Sequence, residues 1–365
     1  MLNSLYIKNY RNLKELKINS VEQVNLITGK NNTGKSAILE SIAIYAGRGR
    51  ISLICQLLSN RGDYFFNKSK DMVEPTTRSL SAMFTDRVVD FSEKGAIVIG
   101  NMIEGSKSSG KNVKIKFVKF SKNILKTEQG EVIHIPKIHN GNNGTNNGLE
   151  ISFENNKTLI PLDEGLFYPH IGIHDYFIQQ NCQLVYPAKT DNEVNGKHFD
   201  NIALTEKEKY VIDALKIIEP AVERIAFIED NNERIAVVKL SNVSGTLPLR
   251  SMGDGMNRIL ATILALVNSD NGFLLLDEFE NGLHYTIQKK LWEIIFELSK
   301  CLNVQVFATT HSSDCITAFQ SVLNSSDNIT KGKLIRLDNM NGFIKTVDYS
   351  ARELKIATEQ QIETR

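Results

Sequence analysis

The sequence predicts an α/β fold wound about a phosphate-binding loop, and three observations carry that prediction. Residues Gly29-Lys30-Asn31-Asn32-Thr33-Gly34-Lys35-Ser36 match G-x-x-x-x-G-K-[ST]; the apolar run Val24 to Ile27 precedes them, and a helical pattern through Ile38, Leu39, Ile42 and Ala46 follows. Strand, glycine-rich turn and helix is the context in which such a match is a phosphate site. A second, wholly apolar run, Phe273 to Leu276, ends in Asp277-Glu278, and a third, Val304 to Thr309, ends in Thr310-His311-Ser312. Continuous apolar runs of this length, set between amphipathic helices, are the pattern of strands buried on both faces of a parallel sheet.

Composition sets outer bounds. With 365 residues, 41% hydrophobic and 23% charged, the chain can bury a full core as one large or two ordinary domains. A net charge of +1 argues against a surface coated with basic residues, though it leaves room for a local patch. Cys55, Cys182, Cys301 and Cys315 are scattered, with no C-x-x-C pair, and read as reduced thiols. The opening MLNSLYIKNYRNL lacks the apolar stretch of a signal peptide. The longest apolar run, Ile259 to Val267, is about half the length needed to cross a bilayer. These features predict a cytoplasmic protein with no membrane partner.

In chain order, Leu2 to Ile7 and Leu13 to Ile18 alternate and are joined by Asn9-Tyr10-Arg11-Asn12, which reads as two edge strands of the nucleotide lobe. A helix follows the loop, then another around Ile51 to Leu58. From Leu80 to Leu162 the alternation of Val113, Ile115 and Phe117 with Lys114 and Lys116, and of Leu149, Ile151 and Phe153 with polar partners, predicts antiparallel hairpins. Turn clusters such as His139-Asn140-Gly141-Asn142-Asn143-Gly144 separate them. A second αβ region begins near Leu184. Thr205 and Glu208 form a capping-box pattern before Val211, Ile212, Leu215 and Ile218, with Pro220 as the stop. Strands at Ala221 to Phe227 and Ile235 to Leu240 are expected next, then a helix after Gly255. Leu283, Ile287, Leu291, Ile294, Ile295 and Leu298 mark one face of a long helix. A hairpin through Asn341-Gly342 precedes a last short helix.

The chemistry follows from residue type and position. Backbone N–H groups of Gly29, Asn31, Asn32, Thr33 and Gly34 are placed to cradle phosphates at a helix N-terminus. Lys35 reaches the β- and γ-phosphates, and the Ser36 hydroxyl holds Mg²⁺. Arg11 is counted with the nucleotide-binding residues. A phosphate site of this kind needs a further carboxylate for the metal, supplied by a parallel strand beside the loop strand, and Asp277 fits. Glu278 then faces the γ-phosphate as general base. His311, at the end of another strand, has the position of a γ-phosphate sensor. Leu249 to Arg258 is a small-residue turn opening a helix, where the Ser251 hydroxyl, glycine N–H groups such as that of Gly253 and the helix N-terminus make a second anion site. One chain cannot easily wrap both sites round one γ-phosphate, so the expected use is in trans, two subunits sandwiching two ATP molecules head to tail.

This set of motifs resembles the ABC-type ATPase heads of the RecF, SMC and OLD (overcoming lysogenization defect) group. LLLDEFENGLH and ATTHSSDC look especially like the stand-alone AAA-type ATPases near OLD proteins. The resemblance runs from YIKNYRNL to the C-terminal helix. It implies a P-loop NTPase of ABC-ATPase head type, one domain over 1–365: a P-loop lobe (1–79), an inserted antiparallel β subdomain (80–165), a helical signature lobe (184–268) and the Walker B and switch-histidine part of the core (269–350). It also implies a signature at Ser251 to Arg258, with Ser251, Gly253, Asp254 and Arg258 toward the neighbour's nucleotide, a D-loop containing Asn281, and ATP with Mg²⁺. Met252 stands where many ABC proteins carry glycine. The Q-loop glutamine stays open among Gln179, Gln180 and Gln183, no coiled coil interrupts the lobes, and no room follows His311 for a TOPRIM nuclease domain. Such ATPases often accompany a separate effector, commonly a nuclease, in bacterial anti-phage modules, acting as homodimers or higher homo-oligomers. The rival classes are a RecF-like repair ATPase clamping duplex DNA and a non-hydrolysing nucleotide-dependent scaffold. Lys107, Lys111, Lys114, Lys116, Lys119, Lys122 and Lys126 either form a phosphate track for DNA or protect solvated strand edges. The intact Glu278 argues against the scaffold.

Overall fold

A computed structural model describes residues 1–63, 77–102, 111–126, 132–139, 144–162, 181–187, 191–230, 233–325, 330–360 and 362–364, the side chains of 122–126 and 132–136 excepted. Gln179, Gln180, Lys107 and the turn residues 140–143 lie outside the described residues, as do the side chains of Lys122 and Lys126.

The centre is a six-stranded sheet in the order β16-β15-β3-β14-β13-β9. Its strands are β3 (Val24–Gly29), β9 (Cys182–Val185), β13 (Phe273–Leu276), β14 (Gln305–Thr309), β15 (Gly332–Met340) and β16 (Phe343–Tyr349). All pairings are parallel except the β15–β16 hairpin. The apolar runs are explained by their two faces. Leu274, Leu276, Val306 and Ala308 face one core, while Phe273, Leu275 and Phe307 face the other. With a core on each side, β13 carries no polar residue before it ends, while Asn25 of β3 and Gln305 of β14 are buried amides bonded to backbone carbonyls.

The loop strand β3 has β14 and β15 as its neighbours. The expectation that the Asp277 strand lies directly beside β3 is therefore corrected: β14 is inserted between β3 and β13. The two strand ends still converge, because β14 carries a bridging threonine.

A seven-stranded antiparallel sheet covers the face where α1 (Lys35–Ala46) and α2 (Ile51–Asn60) pack. It joins β1 (Leu5–Tyr10) and β2 (Leu13–Ile18) to β4 (Ile97–Gly100), β5 (Val113–Lys126), β7 (Asn146–Phe153) and β8 (Asn156–Pro161), with β6 (Val132–His139) paired to β5. Thus β1 and β2 are continuous with the strands of 80–165 and share their sheet, not an edge of the nucleotide lobe. The short α3 (Thr77–Ser81) lies under it, and Phe84 just beyond α3 forms a bridge with Tyr10.

The other face carries α4 (Asn192–Asp200), α5 (Lys207–Leu215), α6 (Asp254–Val267), α7 (Tyr285–Cys301) and α8 (Ser313–Leu323), with the sheet β10 (Val222–Asp230), β11 (Glu233–Leu240) and β12 (Thr246–Pro248). The Thr205–Glu208 pair caps α5 one residue out of the expected register. Thr205 accepts from the Lys207 N–H, and the Glu208 carboxylate from the Leu204 N–H. A full capping box forms instead at Ser350 and Glu353, ahead of α9 (Ala351–Glu359). The elements α4, α8 and β12 have no counterpart in the sequence reading. For α8 a signal exists, since Ile316, Phe319, Val322 and Leu323 share one buried face.

Candidate functional site

The C-terminal ends of β3, β14 and β13 meet at one edge of the sheet, the edge where open α/β sheets bind ligands. At Gly29, φ is 142°, and a Cβ there would stand 2.7 Å from the Leu337 carbonyl oxygen and 2.9 Å from Thr33 Oγ1. Only glycine admits both the turn and the close approach. The loop is tied internally: Thr33 Oγ1 donates to the Lys30 carbonyl (2.8 Å), and Asn12 donates to the Asn32 carbonyl (3.0 Å). Asn31 and Asn32 are exposed at its crest, while Thr33 is buried.

Lys35 opens α1 behind left-handed Gly34 (φ 91°). Its ammonium donates to the carbonyls of Gly29 (2.7 Å) and Lys30 (2.9 Å), leaving one of three N–H groups for a phosphate oxygen. Burial draws its pKa down to about 8, against the opposing pull of Asp277, Glu278 and Glu280.

Ser36 Oγ donates to the Asp277 carboxylate at 2.9 and 3.1 Å. Thr309, at the end of the intervening β14, donates to Asp277 Oδ1 (2.7 Å) and accepts from the Glu278 N–H (2.9 Å). This threonine bridges the strand inserted between loop and carboxylate. Glu278 itself sits at φ 47°, a region in which a non-glycine residue costs on the order of 1–3 kcal/mol. Two contacts over-determine that turn. Phe279 stacks on Trp292 of α7, with ring centroids 4.0 Å apart, and Arg258 grips it from α6.

Arg258 corrects the sequence reading. It was expected to face a neighbour's nucleotide with Ser251, Gly253 and Asp254, yet its side chain is buried and turned inward. Its guanidinium donates to the carbonyls of Tyr186 (2.8 Å), Asp277 (2.8 Å) and Glu278 (3.0 Å). Arg258 therefore positions the Asp277–Glu278 turn within its own chain. Ser251, Gly253 and Asp254 remain exposed at the start of α6, and nothing lies within 4 Å of a Cβ built on Gly253. The exposed Asn281 and Gly282 adjoin them, with the Gly282 carbonyl oxygen 3.3 Å from a Cβ placed on Gly255.

His311 is half-buried at the end of β14. Its loop is fixed by Glu280, whose carboxylate accepts from the His311 N–H (2.8 Å) and from Thr310 Oγ1 (2.7 Å). Thr309 and Glu280 are the working residues the sequence reading did not single out for these roles. The sequence signal for Thr309 is a hydroxyl that follows the apolar Val306, Phe307 and Ala308 at the end of its strand. Arg11, in the turn between β1 and β2, is directed to Glu40 of α1 and not to the loop crest: Nε donates to Glu40 (2.7 Å) and Nη1 to Asp63 (3.1 Å). Gln183 sits within β9, opposite Leu274.

The site's composition fits a magnesium ion. A hydroxyl and a carboxylate, both hard oxygen donors already in contact, are what such an ion takes alongside substrate phosphates. Among the described residues no group of three or more His, Cys, Asp or Glu side chains forms a separate metal cage. Nor is any helix of the described residues long and apolar enough to cross a membrane.

Among the described lysines of the track, Lys111, Lys114 and Lys116 are ion-paired. Lys114 and Lys116 both donate to Glu93, whose pKa falls to about 2 through those two bonds. Lys116 also lies 3.5 Å from Glu150, Lys111 lies 3.7 Å from Glu154, and Lys119 sits over the Phe91 ring.

Comparison with known proteins bears on this geometry. Residues 1–316 match the AAA ATPase domain family. The chain belongs to that family. This AAA ATPase is 22% identical to an ATP/GTP phosphatase of Helicobacter pylori over 395 aligned positions, which span 99% of each chain. Over 65 residues, 17% of this chain and 18% of the other, it is 40% identical to the DNA replication and repair protein RecF of Rickettsia prowazekii. A solved Smc head domain with an extended coiled coil, bound to the C-terminal domain of ScpA and derived from Pyrococcus furiosus, shares its fold. That likeness has a TM-score of 0.50, 12% identity and coverage of 99% of both chains. The fold is the ABC-type P-loop head of the RecF and SMC group.

Proposed function

We propose that this AAA ATPase hydrolyses ATP with Mg²⁺ at composite sites formed by a head-to-tail homodimer, and that the closing and opening of that dimer controls a separate effector. The observation that carries the reading is the Ser36–Asp277–Thr309–Glu278 chain of hydrogen bonds beside Lys35. Bound magnesium, held by Ser36 and Asp277, would neutralise charge that develops on the β- and γ-phosphate oxygens. Lys35 adds its own charge to those oxygens. Glu278 accepts a proton from the attacking water as the water oxygen bonds to the γ-phosphorus. The bond from that phosphorus to the bridging oxygen breaks, its electron pair leaving with ADP, and inorganic phosphate is the second product. Thr309 holds the Glu278 backbone, and Arg258 holds the backbone carbonyls of Asp277 and Glu278.

Support for the dimer comes from the exposed start of α6. The Ser251 hydroxyl, the Gly253 turn and a helix N-terminus are built for an anion, and Asn281 lies beside them. A γ-phosphate from a second chain is the anion of matching charge, and ADP lacks it. Crosslinking tests this directly: Ser251→Cys with Asn32→Cys should join two chains when ATP is bound and not with ADP. Crosslinks confined to single chains would overturn the dimer.

The effector reading rests on the resemblance to stand-alone ATPases of anti-phage modules. Co-expression with the neighbouring open reading frame is expected to protect cells from phage, and Lys35→Ala to remove that protection. Protection that persists in Lys35→Ala counts against it.

A further inference from the structure

A cleft of about 1290 Å³ starts at Ser36 and Asp277 and runs between α1 and α2 on one wall and β9, α4 and α6 on the other. Its inner end is at Ser36 and Asp277, the two residues proposed to hold the metal beside the γ-phosphate. Along α1 the lining residues are Ser36, Glu40 and Ala43, with Gly47 at its C-cap, so beyond Glu40 this face carries only small side chains. Ala261 and Ala265 of α6 also line the cleft, so helix backbones are screened by little more than methyl groups. At the rim stand exposed residues, among them Gln56, Asn60, Arg61 and Val194. The path therefore leads from buried Asp277 to solvent.

Its polar lining has donors to spare. Arg11, Arg50, Arg61 and Arg87 line the cleft with Glu40, Asp63, Asp191 and Asp277. The carboxylates are committed. Glu40 accepts from Tyr10, Arg11 and Arg61; Asp63 accepts from Arg11 and Arg87; Asp191 caps α4; Asp277 accepts from Ser36 and Thr309. A guanidinium offers five N–H donors, and the bonds of Arg11, Arg61 and Arg87 to Glu40 and Asp63 use only some of theirs. Arg11 is nine-tenths buried and its Nη2 has no partner, and Asn195 Nδ2, buried further along the cleft, has none either. Buried donors without acceptors are costly, and an anion in the cleft would satisfy them.

We infer that this cleft is a transit site for inorganic phosphate, through which the cleaved γ-phosphate leaves while ADP still occupies the loop. The inference rests on hydrolysis at Asp277 and Glu278. In the proposed closed dimer, on which the inference also rests, ADP and the neighbour's α6 would block the front of the site and leave the cleft as the route behind it. A hydrated phosphate fits it several times over, given about 30 Å³ per water.

The test separates bond cleavage from release. Quenched-flow sampling follows ADP, and a fluorescent phosphate sensor follows free phosphate, in wild type and in Ala265→Phe, which fills the cleft away from the reacting groups. Ala265→Phe is expected to form its first ADP at the wild-type rate and to release phosphate about tenfold more slowly. Phosphate released at the wild-type rate by folded Ala265→Phe would overturn the inference. Absence of ADP formation in wild type would instead overturn the hydrolysis on which it rests. Should Ala265→Phe fail to fold, Arg61→Gln at the rim gives a second reading with inorganic phosphate as the probe. The phosphate concentration that half-inhibits turnover should rise about fivefold, as for loss of one charge-assisted hydrogen bond. Unchanged inhibition would sink the assignment.

Discussion

The two regions proposed to bind anions are built in opposite ways. Around Asp277 nearly every polar side chain already has a partner: Ser36 and Thr309 on the carboxylate, Glu280 on the His311 loop, Arg258 on three carbonyls. At the start of α6, Ser251 donates only to the Pro248 carbonyl of its own turn (2.7 Å), and Gly253 and Asp254 face outward. The first region is finished within one chain, and its strained Glu278 is held by packing from below. The second is an exposed surface, open to the contacts that the proposed dimer would bring. Arg258 ties the two together, since it grows from the same helix that the signature turn opens.

The largest effect should come from breaking the finished region at its reacting group. Glu278→Gln removes the proton acceptor while keeping shape, so turnover should fall by about 10²–10⁴-fold with ATP binding retained. Steady-state hydrolysis with a separate binding measurement checks this, and turnover near wild type would displace Glu278 from its role. Next, Lys35→Ala should weaken ATP binding by about 100-fold, as expected for loss of charge-assisted contacts to two phosphates. Equal affinity in calorimetry would contradict the loop assignment.

Arg258→Ala sharpens the comparison because it should damage the finished region from within one chain. Three carbonyls lose their donor, at a cost of about 2–3 kcal/mol in denaturant unfolding. If Arg258 served only a neighbour's nucleotide, stability would be unchanged and ATP-dependent association alone would suffer.

The smallest effect is a pH dependence. Lys35 titrates near 8 in the folded protein against 10.5 for an ordinary lysine. Between those values the unfolded chain binds the extra proton, so this group makes stability rise with pH across that window. Bound triphosphate favours the charged form, so above pH 8 nucleotide binding must take up a proton, and affinity should fall by up to about tenfold per pH unit. Calorimetry in buffers of different ionisation heat reads the uptake directly. No proton uptake at pH 9 would place the titrating lysine elsewhere.

Much of the site was legible because its signals are local. The run through Phe273 to Leu276 is apolar because each face of that strand meets a separate core, and its first two polar residues are the acidic pair at the sheet edge. The P-loop spacing is set by backbone geometry that only Gly29 can satisfy. The direction of Arg258 was not legible. An arginine seven residues after Ser251 belongs to a surface turn by sequence and to a buried carbonyl cluster by structure, because the helix rotates it inward. Glu40 gave no sign either: a glutamate on an otherwise apolar helix looks solvated until Arg11, from the β1–β2 turn, and Arg61, from the end of α2, are folded onto it.

The sequence by itself determined the elements whose physics is short-ranged: the strand, loop and helix about Lys35, the buried strands ending in acidic and histidine residues, and the small-residue turn at the start of α6. Only the tertiary structure decided the strand order that slips β14 between β3 and β13, the Thr309 bridge this order requires, and the cleft behind Asp277. Those depend on pairings between residues hundreds of positions apart, such as Val306 with Val24 and Gly332 with Val24. Local propensity carries no record of which apolar strand lies beside which. That choice is made by helices and strands packing simultaneously on both faces of one sheet.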